Sequence, residues 1–147
     1  MTDQNIDILA RTIFGEQRGH GKIGMQSVAN VVMNRTAIAK AYTQKYDRKH
    51  PLYGDGTIAS CCKMPWQFSC WNKNDPNLEI ITNANESDPV FADALEVAND
   101  VTNGVLDDIT KKATHYYSVK LHPEPSWAKD KIPCEIIAGQ YFFNNIE

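Results

Sequence analysis

The stretch I-D-I-L-A-R-T-I-F-G-E-Q-R-G-H-G, Ile6 to Gly21, decides how this chain begins to fold. Ile6, Leu9 and Ile13 recur at helical spacing, and Ala10 and Phe14 widen the apolar stripe, so about Ile6 to Arg18 reads as an amphipathic helix. G-H-G at Gly19 to Gly21 ends it, because glycine readily takes the left-handed conformation of a C-cap. A second helix starts near Ile23 and runs to about Tyr42, with Met25, Val28 and Val32 on its apolar face and Ala29 and Val31 beside them.

From Thr43 to about Ser87 the pattern breaks down, punctuated by Pro51, Gly54, Gly56, Pro65 and Pro76. Such a long irregular stretch is uncommon in a compact domain and often functional, and short strands or a hairpin are expected near Gln67 to Trp71. A third helix follows. Asp88 serves as its N-cap, Pro89 suits the first helical position, and Phe91, Ala94, Leu95, Ala98 and Val101 face inward until Asn103-Gly104 stops it. A-T-H-Y-Y-S-V, Ala113 to Val119, reads as extended, and the tail I-I-A-G-Q-Y-F-F, Ile136 to Phe143, docks on the core. The expected class is mostly α (α+β), a helical domain with a long irregular, short-strand segment. With no repeat, low-complexity tract or linker, residues 1–147 read as a single domain.

The 147 residues suffice for a real core, and 42% hydrophobic with 22% charged residues marks a globular chain. A net charge of −3 argues against nucleic acid as the main partner, because phosphate neutralisation needs a basic face. The N-terminus M-T-D-Q-N-I-D carries two acids and no apolar h-region, so it is not a secretory signal. No stretch is long enough to span a membrane, so the expectation is synthesis in the cytoplasm, no membrane insertion, and a monomer by default. Cys61, Cys62, Cys70 and Cys134 leave three options: two disulfides, a zinc site, or free thiols half-buried around a loop. The zinc option is disfavoured because no C-x-x-C occurs and His115 and His122 are distant, so free thiols are the default and no metal or cofactor is expected.

The anomaly lies in the first helix, where the next inward position after Ile13 is Glu16. Partial desolvation, the negative end of the helix dipole and apolar neighbours would all raise its pKa, while Arg18 and Arg35 could oppose the rise. A carboxyl protonated near neutral pH is what a general acid needs. The plain alternative is an exposed glutamate or a partner of Arg35. Gln26, Asn30 and Asn34 form a polar row at i, i+4 and i+8, suited to binding aminosugar acetamido groups or to capping a loop internally. Trp66, Phe68, Trp71, Tyr116, Tyr117 and Trp127 would suit sugar stacking, although aromatics mostly build cores. His115 is either a base or a satisfied polar residue, the latter being the ordinary case.

L-A-R-T-I-F-G-E-Q-R-G (Leu9 to Gly19) followed by G-M-Q-S-V-A-N-V-V-M-N-R (Gly24 to Arg35) resembles the signature of the SleB/CwlJ-type cell-wall hydrolases. W-Q-F-S (Trp66 to Ser69), A-T-H-Y-Y-S (Ala113 to Ser118), the P-x-W of Pro125 to Trp127 and the closing I-A-G-Q-Y-F-F extend the likeness from about Ile8 to Phe143. The resemblance implies a lysozyme-like, mostly helical catalytic domain acting on peptidoglycan, with Glu16 as the single essential acid/base. It further implies that Gln67, Phe68, Ser69, Tyr116 and Tyr117 line the glycan cleft, supported by Asn34 and Arg35. Departures exist. The family often closes on G-G-H where this chain has Gly139-Gln140, and neither the cysteines nor the stretch around Tyr42 to Cys62 is a family hallmark. The missing signal makes the chain similar to a phage or prophage endolysin, which reaches the wall after release by another protein.

Glycosidases that retain or invert use two carboxylates, but Asp55, Asp75, Glu79 and Glu86 all sit in loop-like sequence. A lone glutamate therefore points to a lytic transglycosylase that forms 1,6-anhydro-muramic ends between N-acetylmuramic acid and N-acetylglucosamine. The near alternative is a hydrolytic muramidase. More distant ones are a cysteine amidase or peptidase using Cys70 with His115, and a non-catalytic peptidoglycan-binding virion module.

Overall fold

In the computed structural model, which describes residues 3–146, five helices precede a small antiparallel sheet. Helix α1 spans Gln4–Gln17 and starts at Asp3, whose carboxylate accepts the Asn5 N–H at 2.7 Å. A 3-10 turn at Arg18–His20 and Gly21, at φ +70°, lead into α2, Gly21–Tyr46. That helix runs one turn beyond the expected Tyr42, and the rings of Tyr42 and Tyr46 meet along the added turn at 4.6 Å.

The segment from Thr43 to Ser87 differs from expectation. It holds helices α3 (Ile58–Lys63) and α4 (Pro76–Asn83), and Ser69–Trp71 is a 3-10 turn where a strand or hairpin was expected. The reason is local capping. The Asp75 carboxylate accepts the Asn77 N–H at 2.8 Å with Pro76 beside it, the same device that Asp88 and Pro89 use at 2.9 Å to begin α5 (Pro89–Thr102). Thr57 caps α3 through Ser60 N–H. These helices are too short for apolar periodicity to announce them.

Helices α1, α2 and α5 form the main core through Leu9, Ile13, Met25, Val28, Phe91 and Ala98, with Phe14 and Phe91 edge to face at 5.4 Å. On α5, Val97 is buried and Leu95 only partly so. The C-terminal part forms β1 (His115–Ser118), β2 (Glu135–Ile137) and β3 (Gln140–Phe143), in the order β1-β3-β2. The sheet meets α2 through a second cluster of Val31, Ala113 and Phe142, and Tyr116 packs against both clusters. Tyr116 thus stands at the seam between helices and sheet. The architecture is mostly α with a small sheet, as expected. All four cysteines are free thiols, with Cys61, Cys62 and Cys70 inside the main core. Among the described residues no helix is long and apolar enough to cross a membrane.

Candidate active site

Glu16 lies on the last turn of α1, half-buried, and its Oε1 accepts the Tyr116 O–H at 3.0 Å. Burial raises its pKa above the usual carboxylate value, and the Asp75 charge adds to the rise. The Tyr116 hydrogen bond and the Arg35 charge work against it, and the net direction is upward. The close packing here depends on Gly15, where a Cβ would sit 2.9 Å from both Cys70 Cβ and Ile81 Cγ2. Arg18 folds back to the Gly15 carbonyl at 3.3 Å and donates to Asn77 Oδ1 at 2.8 Å, tying the end of α1 to the start of α4.

Arg35, buried on α2, organises the opposite side. Its Nε donates to the Thr114 carbonyl and its Nη1 to Gln67 Oε1, both at 2.8 Å, while its guanidinium lies 5.5 Å from the Tyr53 ring and 5.4 Å from that of Phe68. Its donors therefore hold the backbone before β1 and the loop of Gln67, and Glu16 is not its ion-pair partner. Between these groups opens a cavity of about 230 Å³, lined by Arg35, Leu52, Tyr53, Trp66, Gln67, His115, Tyr116 and Trp127. Trp66 is 96% exposed at its rim, at φ +71°, and the Trp127 ring is 4.9 Å from His115. His115 shares a hydrogen with Thr114 Oγ1 across 2.9 Å, and burial followed by the Arg35 charge lowers its pKa to about 4, so the ring is neutral at ordinary pH. Glu16 sits one hydrogen bond beyond the Tyr116 wall of this cavity.

Of the residues singled out from sequence, Gln67, Tyr116 and Trp127 come together on this cavity. Phe68 is buried beneath Arg35, and Ser69 is an exposed residue that opens its 3-10 turn. Tyr117 alternates with Tyr116 along β1 and therefore stacks on Phe143 at 5.7 Å on the other face, beside Trp127 and Tyr141. The amide row is engaged internally. Gln26 donates to the Asp107 carbonyl, Asn30 Oδ1 accepts the Ile109 N–H, and Asn34 donates to Asp108 Oδ2 and the Ala113 carbonyl. These bonds hold the loop that leads into β1, which is the loop-capping alternative.

Asp75, loop-like in sequence, caps α4 close enough to Glu16 for its charge to act there. The aspartate-proline pair at its position is the signal that would have found it. Cys70 is buried against Gly15 with its pKa pushed up to about 12 by burial and then by Glu16, and His115 is engaged by Thr114. A thiolate–imidazole pair has no basis in that arrangement. Among the described residues no three His, Cys, Asp or Glu side chains converge as a metal-ligand set.

A carboxyl of raised proton affinity, bonded to the tyrosine hydroxyl that walls an aromatic cavity, can give up a proton and take one back. No curated protein and no solved structure gives a significant match to the chain. Residues 19–143 match the family model described as Cell Wall Hydrolase, a match that begins just after Glu16 and covers the other walls of the cavity, and the chain belongs to that family.

Proposed function

We propose that this protein cuts the glycan strands of peptidoglycan between N-acetylmuramic acid and N-acetylglucosamine, as a lytic transglycosylase with Glu16 as its one acid/base. The observation that carries the reading is the half-buried Glu16 carboxyl, its pKa raised and its Oε1 bonded to Tyr116, which lines the cavity. Glu16 protonates the glycosidic oxygen as its bond to muramic C1 breaks. The resulting carboxylate, still bonded to Tyr116, takes the proton of the muramic C6 hydroxyl, and O6 closes on C1 to give the 1,6-anhydro ring. No water is consumed, and the high effective molarity of the internal hydroxyl favours this closure. Trp66 and Trp127 supply ring faces for the sugars, and Gln67, held by Arg35, supplies amide polarity.

Asp75 bears on the choice between this chemistry and a two-carboxylate hydrolysis. Its carboxylate is engaged in capping α4, where it accepts the Asn77 N–H, and its charge acts on Glu16, which supports a role on Glu16 in place of one on the sugar. Release from a producing cell in the manner of an endolysin fits the same reading. Mass spectrometry of digested sacculi tests it. Anhydro-muramic ends are expected, absent with Glu16→Gln. Reducing muramic ends heavier by one water would assign a muramidase instead.

A further inference from the structure

A second cavity of about 420 Å³ adjoins the first, and the two share Leu52 and Tyr53 as a common wall. On the opposite side the chain crosses from one to the other within two residues, since Thr114 lines the second cavity and His115 the first. Together they make one groove that passes over Tyr53. The two halves differ in chemistry. The first is walled by Trp66, Trp127 and His115, which offer flat faces to sugar rings. The second presents Ile38, Leu52 and Ile146 with Lys112 and Asn144, a mixture of small apolar surfaces, one cation and one amide.

Its framework is built. His50 Nδ1 accepts the Leu52 and Tyr53 N–H groups, each at 3.1 Å, and its ring stacks on Tyr53 at 4.8 Å and 6°. Lys112, in a left-handed turn at φ +65°, has its backbone N–H fixed to Asp108 Oδ2 at 3.0 Å, and its ammonium forms no ion pair among the described residues. Next along the chain to the His50 wall lie Lys45, Arg48 and Lys49, three cations against the one acid Asp47, in a protein whose net charge is −3. Lys112 is the one lysine or arginine among the residues that line this cavity.

We propose that the second cavity seats the stem peptide of the strand being cut, with a stem carboxylate paired to Lys112. This deepens the glycan-cleaving reading and rests on it. The stem branches from the same muramic acid that occupies the first cavity, so its carboxylates are carried to Lys112 by the strand itself. Alanine-sized side groups match the apolar walls.

The experiment compares strands that keep their stems with strands stripped of them by an amidase, using wild-type protein and Lys112→Gln. Gln keeps a polar, hydrogen-bonding side chain one atom shorter than lysine and removes the charge. On stem-bearing strands KM should rise about two- to fivefold with kcat unchanged, the size of one exposed ion pair, while stripped strands show no change. Binding of fluorescently labelled strands to Glu16→Gln, with and without Lys112→Gln, reads the same ratio with no turnover. A failure of the cleavage chemistry therefore leaves this measurement standing. Equal effects on both strands, or none on either, would overturn the assignment. So would a loss seen only on walls that retain phosphate-rich polymers, which would give Lys112 to phosphate.

Discussion

Burial and the Asp75 charge raise the proton affinity of Glu16, whereas Tyr116 and Arg35 lower it, and burial is the largest of these influences. If the protonated acid starts the reaction, kcat/KM falls as pH rises through the Glu16 pKa. Asp75→Asn keeps an N-cap of equal quality and removes a charge that supports protonation, so the fall should begin at lower pH. Tyr116→Phe removes a bond to the charged form and should move the same limb to higher pH, with a reduced peak rate. Opposite displacements in a pH–rate profile are the signature; parallel ones would remove the assigned roles. A second consequence concerns stability. A carboxyl whose folded pKa is raised gives stability below its unfolded pKa and loses it as pH rises through the folded value. Glu16→Gln keeps an acceptor for Tyr116 and carries no charge, so its Tm at pH 7 should exceed wild type by a few degrees. The gain should vanish near pH 4, below the usual glutamate value. Calorimetry at the two pH values decides, and a gain that persists in acid would trace to packing.

The turn that presents Glu16 exists because α1 approaches α4 and the Ser69–Trp71 turn without a side chain at Gly15. Alanine is worth about 1 kcal/mol more than glycine in a helix interior, so propensity alone favours Gly15→Ala. The added Cβ, however, meets Cys70 and Ile81 at 2.9 Å, and overpacking of this kind costs about 1–3 kcal/mol. The clash should win, lowering the urea midpoint and also kcat, because the displaced atoms border Glu16. A more stable, fully active variant would show that α4 can retreat freely. The same elements show what sequence could reveal. The stripes of α1, α2 and α5 were legible because each is long enough for its apolar residues to repeat several times. Glu16 was legible as the polar residue that continues such a stripe. Helices α3 and α4 were not, since Thr57 and Asp75 make them by capping bonds one or two turns long. The amide row was visible as a pattern, but whether Asn34 faced a sugar or the Ala113 carbonyl depends on where a loop nearly eighty residues away returns.

That return of the C-terminal chain is what turns a helical body into a cleft, and Arg35 is where the parts are joined. It reaches from α2 to Thr114 before the sheet and to Gln67 in the loop after α3, and lies over Tyr53 and Phe68. Both walls of the cavity, and the strand that brings Tyr116 to Glu16, are thereby held to one side chain. If Arg35 supplied only a positive charge near Glu16, lysine would replace it. A guanidinium instead presents a planar fork that serves two acceptors in different directions while stacking on rings, and an ammonium cannot reproduce this. Arg35→Lys should therefore cost about 2–3 kcal/mol of stability, the scale of a lost charged hydrogen bond with its acceptor left buried. It should also lower kcat/KM at least tenfold, as the Gln67 loop and β1 lose their common anchor. The alkaline limb of the pH profile should move little, because the charge that acts on Glu16 is kept. Chemical denaturation and a pH–rate profile of one variant thus separate anchoring from electrostatics: a shifted limb with normal stability would assign Arg35 to the charge of Glu16 and not to the joining of helices and sheet.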